Sequence, residues 1–161
     1  MKIRIIALLV TGVILLSCSD DITYYTDFGW DAQVLPDKVM DINSLFFLDT
    51  LNGWAAGGYS SLSGNVEGYG KVFHTSDGGL NWEEQYKLDG NYFYKVYFIN
   101  SSIGFVLGSS GKLLRTSNGG ANWDSIPLNE YNNLRSISFM DDRIGWLAGT
   151  YGTLMRTTDA G

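Results

Sequence analysis

The side chains that could do chemistry recur in one pattern: Asp77 and Asp159 each follow a threonine by two positions and precede a glycine by two, and Asn118 holds the same place in a third copy. A pair of carboxylates could serve as acid and base across a sugar or share a metal ion. Asn118 keeps the hydrogen-bond acceptor but lacks the charge that a general base or a metal ligand needs. The copies lie in successive repeats, so Asp77 and Asp159 do not converge on one bond or one ion. A short Asp or Asn acceptor can instead take the backbone N–H groups of its own turn, with a glycine at positive φ and an aromatic ring packed between sheets. That is a folding device. His74 is the only histidine; Arg115 and Arg156 stand just before their boxes, in the position that His74 holds in the first copy. They read as strand residues of the repeat. Arg135 and Arg143 fit no paired pattern, so no catalytic residue, metal ligand or cofactor is assigned.

The elements that carry these residues repeat every 41 positions. Thr75-Ser76-Asp77-Gly78-Gly79-Leu80-Asn81-Trp82 returns as Thr116-Ser117-Asn118-Gly119-Gly120-Ala121-Asn122-Trp123, and its first five positions return as Thr157-Thr158-Asp159-Ala160-Gly161. Upstream, Phe98 and Phe139, Gly104 and Gly145, Phe105 and Trp146, Gly108 and Gly149, and Gly111 and Gly152 keep the same spacing. Phe47, Gly53, Trp54 and Gly57 stand 51 before their partners while Gly70 stands 41 before Gly111, which places ten extra residues between Gly57 and Gly70. Four short β-rich runs fill the second copy, Tyr92 to Phe98, Gly104 to Leu107, Lys112 to Thr116 and Asn122 to Ile126, with turn residues between them. A four-strand unit of this length is the size of a propeller blade, and the glycine-rich turns exclude helical repeats. The fold class is all-β, with β-propeller blades of four antiparallel strands.

The boxes resemble the Asp-box, or bacterial neuraminidase repeat, of the pattern Ser/Thr-x-Asp-x-Gly-x-x-Trp. Its residues here are Thr75, Asp77, Gly79 and Trp82; Thr116, Asn118, Gly120 and Trp123; and Thr157, Asp159 and Gly161. With the preceding Phe-x-x-x-x-x-Gly-Trp and Gly-x-x-x-x-Thr elements, residues 41–161 look most like the photosystem II stability and assembly factor type of propeller. That resemblance implies a non-enzymatic scaffold that helps to assemble a membrane complex through an arginine patch on one face. No such patch exists here beyond the strand arginines. The alternative is a piece of a sialidase-like or other glycosidase propeller, since those enzymes also carry Asp-boxes. A sialidase needs an arginine cluster and a Tyr-Glu nucleophile, and the sequence does not supply them convincingly.

The N-terminus reads as a lipoprotein signal peptide over residues 1–17: Lys2 and Arg4 precede an apolar run from Ile5 to Leu16, and Leu15-Leu16-Ser17-Cys18 resembles a lipobox. Twelve apolar residues are too few to span about 30 Å of hydrocarbon. Cys18, the only cysteine, is the expected site of lipidation and can form no internal disulfide. Cleavage before Cys18 would leave 9 basic against 17 acidic residues, so attachment rests on acyl chains and not on charge. The expected location is the bacterial envelope, on the outer membrane or cell surface. No basic face gathers phosphates, so nucleic acid is not an expected partner.

Residues 18–29 read as a tether and 30–161 as a partial propeller. Its parts are an outer strand at 30–36, a blade at 41–88 with an insertion at 58–69, a second blade at 91–128 and a partial blade at 133–161. The strands amount to about three blades, whereas propellers typically close with about four to eight. A fragment of a longer product or self-association through open blade edges would account for this. The insertion shares one end of the blades with the blade-to-blade connectors. Tyr59, Asn65, Glu67, Tyr69, Tyr92 and Tyr131 are the candidate binding face there, suited to a protein or glycan partner.

Overall fold

Among the described residues, turn residues mark off eleven short strands that pair only with their sequence neighbours. In the computed structural model, which describes residues 31–37, 40–59 and 68–161, these are β1 (Asp41–Phe47), β2 (Gly53–Tyr59), β3 (Tyr69–Thr75), β4 (Glu83–Asp89), β5 (Phe93–Phe98), β6 (Gly104–Gly108), β7 (Leu113–Thr116), β8 (Asp124–Ile126), β9 (Leu134–Phe139), β10 (Gly145–Gly149) and β11 (Leu154–Thr157). They form three antiparallel meanders, β1-β2-β3-β4, β5-β6-β7-β8 and β9-β10-β11, two complete blades and a three-stranded one. The fold is all-β and propeller-type. Gln33–Gly161 forms one compact unit, described here by itself. Residues 1–17, expected to be a signal peptide, and Cys18, Trp30, Asn65 and Glu67 lie outside the described residues.

The second strand is buried in the two complete blades and partly exposed in the third. β2 and β6 are buried along almost their whole length, and strands covered on both faces read as continuous apolar or small-residue runs. Within each blade a glycine starts this strand under the last aromatic of the one before it. A Cβ added at Gly53, Gly104 or Gly145 would lie 2.5, 2.5 or 2.6 Å from the ring of Phe47, Phe98 or Phe139. No side chain fits there, so the ring seats directly on the backbone.

Between blades the core is aromatic. Trp54 stacks on Phe98 at 3.7 Å between ring centroids, in a cluster with Val72, Phe93, Val96, Val106, Leu114 and Trp123. Phe105 stacks on Phe139 at 5.1 Å in the next interface, with Leu107, Leu113, Leu134 and Ile137. Truncating such a ring costs about 3–5 kcal/mol, so these interfaces carry much of the stability. Trp123 is buried and meets Phe98 edge-on at 5.9 Å, and half-buried Trp82 meets Phe47 the same way at 6.0 Å.

Two details depart from the expectations. The β2–β3 pairing continues to Tyr59↔Tyr69, so the insertion begins later and rides on a lengthened hairpin. Residues 31–37 form no strand, although an outer strand is expected at 30–36. Among the described residues no strand pairs with it.

Candidate binding face

Consecutive turns alternate between the two ends of a blade, and the chemistry separates with them. At one end lie the boxes. Thr75 Oγ1 donates to Asp77 Oδ1 (2.8 Å) and accepts from the N–H groups of Gly79 (2.9 Å) and Asp77 (3.3 Å), while Asp77 also accepts from the backbone and side chain of Asn81. Thr116 and Asn118 repeat this with Gly120 and Asn122, and Thr157 with Asp159 and Gly161. An amide therefore performs as a carboxylate does. Each box is then tied to the first turn of its own blade, Gly78 N–H to the Leu51 carbonyl, Gly119 to Ser102 and Ala160 to Arg143.

That first turn holds a second repeated device. Asp49 accepts the N–H groups of Leu51 and Asn52, Asn100 those of Ser102 and Ile103, and Asp141 those of Arg143 and Ile144. These hydrogen bonds hold the carboxyls of Asp49, Asp77, Asp141 and Asp159 below the ordinary range. For Asp77 the Asn81 side chain contributes most, and for Asp159 the Thr157 hydroxyl does. Each of these carboxylates thus spends at least one oxygen on its own turn. Sequence reasoning missed the Asp49–Asn100–Asp141 series, although its offsets of 51 and 41 match the repeat.

His74 packs against Trp54 at 4.8 Å, and burial pushes its imidazole pKa down. Arg115 Nε donates to the Ala160 carbonyl at 3.2 Å, and the Arg156 guanidinium lies 5.7 Å from the Trp146 ring. They serve separate blade contacts and form no clamp. Among the described residues no group of three His, Cys, Asp or Glu could hold a metal ion.

The opposite end joins the second turn of the second and third blades to the connector before each. The Ser109 N–H donates to the Tyr92 carbonyl, Thr150 to Asn133, and Gly111 to Asn132 of the following connector. Glu130 braces that connector, accepting the N–H groups of Tyr131 and Asn132 (2.8 Å each) and the Thr153 hydroxyl (3.1 Å). Its carboxyl is held low, chiefly by the Asn132 N–H.

Of the sequence candidates, Tyr59 and Tyr69 come together at 5.8 Å. Tyr69 donates to Asp37 (2.8 Å), and Lys71 bridges Asp37 (2.9 Å) and Glu84 (2.7 Å) beside the Tyr69 ring. Tyr92 lies against Gly58, where a Cβ would come within 2.9 Å of its ring, and donates to Asp41 at 3.0 Å. Burial is the main cause that raises the Tyr69 and Tyr92 phenols above their ordinary pKa. Tyr131 stands apart on its connector, 88% exposed.

The structure adds residues the sequence did not single out. Each inner strand carries a bulge at one repeat position, leaving Asn43, Tyr94 and Arg135 without ladder partners. Bulges re-aim side chains. Here they bring Asn43 to the Phe93 carbonyl (2.7 Å), Tyr94 to Tyr92 (5.2 Å) and the Arg135 guanidinium onto the Tyr94 ring at 3.7 Å. Tyr151 is 93% exposed in a tight turn at φ 53°, a conformation unusual for a bulky residue.

Comparison with known proteins agrees with this architecture. The structure of YCF48 bound to D1 peptide superposes with a TM-score of 0.65 at 27% identity, over 81% of this chain and 40% of that one. YCF48 from Cyanidioschyzon merolae gives 0.62 at 20% identity with the same coverage, a likeness of fold. The chain thus spans 40% of the length of either structure. No curated protein matches. The family model described as photosynthesis system II assembly factor YCF48 matches residues 9–117, well over half of the chain, and the protein belongs to that family.

Proposed function

We propose that this protein is a protein-binding scaffold of the bacterial envelope, held to a membrane through lipid on Cys18, and that it receives its partner on the connector end of the blades. The observation that carries this reading is the division between the two ends. The box end spends its polar groups on its own turns, whereas the connector end gathers Tyr59, Tyr69, Tyr92 and Tyr94 on a braced frame. Tyrosines offer large contact area at low entropic cost. The related YCF48 that carries a D1 peptide supports a peptide or protein as the ligand class over a glycan. Asn65 and Glu67, in the insertion, complete the proposed surface.

A photo-crosslinking amino acid placed at Tyr92, and separately at Ser117 on the box end, tests the assignment in cells. A discrete adduct with an envelope protein is expected from position 92 alone. Adducts from 117 alone, or equal adducts from both, would remove the idea. Incorporation of labelled palmitate that disappears in Cys18→Ser is the matching test of the anchor.

A further inference from the structure

Aromatic rings on the connector end take cations from their own chain. The Tyr69 ring has the amines of Lys71 and Lys87 at 5.2 and 5.3 Å from its centroid, and the Tyr94 ring has the Arg135 guanidinium at 3.7 Å. The face of a ring is the negative part of its quadrupole, so a cation placed over it is held. Tyr131 and Tyr151 differ. Both are almost fully exposed, and no cation of the described residues lies over either ring.

The repeat does not require a tyrosine at either place. Gly90 holds the position of Tyr131 in the first connector, and Ser110 holds that of Tyr151 in the second blade. In the first blade that second position is Tyr69, the ring with two lysines. Tyr151 also has φ 53° in a turn whose next residue, Gly152, has φ 79°, a pairing that favours Asn or Gly at the first place. A bulky side chain that strains its own turn and stays in solvent does nothing for the fold. The exposure belongs to the positions themselves. Tyr131 lies between two built blades, and Ser110 is exposed although the connector that follows its blade is in place and buries Gly111.

Both tips stand on one frame. Glu130 accepts the Tyr131 N–H at 2.8 Å and the Thr153 hydroxyl at 3.1 Å. The Thr150 N–H donates to the Asn133 carbonyl, and the Asn133 N–H donates to Thr150 Oγ1 at 3.1 Å. The backbones that carry the two rings are therefore fastened to each other, with a carboxylate at their common root. Rings presented in this way lose little entropy on binding.

We propose that Tyr131 and Tyr151 form a two-pronged seat for a basic segment of a protein partner, which lays an arginine or lysine side chain on each ring as Arg135 lies on Tyr94. The charge of the chain suits such a ligand: 17 acidic against 11 basic residues draw a cationic segment and repel an anionic one. This rests on the reading that the connector end receives a protein, and it names the chemistry which that protein brings.

The full chain with Cys18→Ser, in mild detergent at physiological ionic strength, is titrated with a fluorescent peptide of alternating glycine and arginine. The same peptide with glutamine for arginine is the control, and it should bind roughly tenfold more weakly. Tyr131→Leu combined with Tyr151→Leu should weaken the arginine peptide roughly tenfold, whereas Tyr131→Phe with Tyr151→Phe keeps both ring faces and should stay within about twofold. Circular dichroism checks that each variant keeps its strands. Arginine-peptide binding that is undetectable, or unchanged in the leucine pair, overturns the proposal. So does equal binding of the glutamine peptide, or a phenylalanine pair as weak as the leucine pair. Cross-linking in cells from position 92 distinguishes this failure from that of the reading beneath it. An adduct kept at full yield in the leucine pair removes the basic seat and leaves the protein partner. No adduct without these substitutions removes the partner, and the peptide titration then decides the seat.

Discussion

The two ends of the same blades follow opposite rules. At the box end the copies are almost interchangeable, with Asp77, Asn118 and Asp159 making the same turn from the same threonine. At the connector end the backbone turns of the second and third blades match, Ser109 to Tyr92 as Thr150 to Asn133, but the side chains they carry do not. Asn43, Tyr94 and Arg135 share one bulge position yet differ in charge, size and hydrogen bonding, and an insertion interrupts one turn alone. Uniform turns fasten a blade to itself, and the freedom to vary is left to the end proposed to receive a partner. The difference separates what the repeat needs in order to fold from what this protein adds.

The largest expected effect strikes the connector end. Gly111 has φ +68°, and a Cβ there would lie 1.8 Å from the Glu130 carbonyl oxygen. Gly111→Ala should cost about 3 kcal/mol or more in urea denaturation, because neither the turn nor the connector can yield. An unchanged midpoint would show that this end is softer than its hydrogen bonds imply. Thr116→Val tests the box end. It removes the fully buried hydroxyl that serves Gly120 and Asn118, and should cost about 2 kcal/mol. Asn118→Asp should change stability far less at neutral pH, since Asp77 makes the same bonds.

Acid sharpens the comparison among blades. Asp49, Asp77, Asp141 and Asp159 have pKa values lowered from 3.8 in the folded chain, so they bind protons less readily than when unfolded. Their stabilisation is full above the unfolded value and is lost as pH falls through the folded values. The second blade has the amides Asn100 and Asn118 at these places and takes up no proton there. Hydrogen exchange below pH 3.8 should therefore open the turns at 49–52 and 157–161 before those at 100–103 and 116–120. Simultaneous opening would mean that the turns do not respond separately. The smallest effect is a gain. Ala160 stands at φ +65° where the other boxes have glycine, and Ala160→Gly should stabilise by about 1 kcal/mol.

The fold was legible because its signals are local and repeated. Turn residues at fixed offsets divide the chain into strands, and the observed β5 (Phe93–Phe98) begins one residue inside the run read from sequence. The pairing Tyr59↔Tyr69 was not legible, since a ladder can continue into an insertion that contains serine and glycine. Tyr59 and Tyr69 are legible as aromatics at the two ends of the inserted segment, and the structure has both half-buried. Tyr94 and Arg135 are not legible, because a bulge reverses the alternation by which a strand residue is assigned to a face. The signal existed in the shared repeat position, but residue types so unlike one another conceal it. Glu130 escaped notice for another reason: its three partners lie on two segments that come together only after folding.

The aromatic ring seated on bare glycine at Phe47–Gly53, Phe98–Gly104 and Phe139–Gly145 lies wholly inside one repeat. So does the bond from each box to its own first turn. A gene that copies 41 codons in frame therefore copies every fastener the new module requires, and recoding is needed only along the seam it shares with the next. Growth or loss of whole modules is an easier evolutionary step for such a chain than a change of length within one.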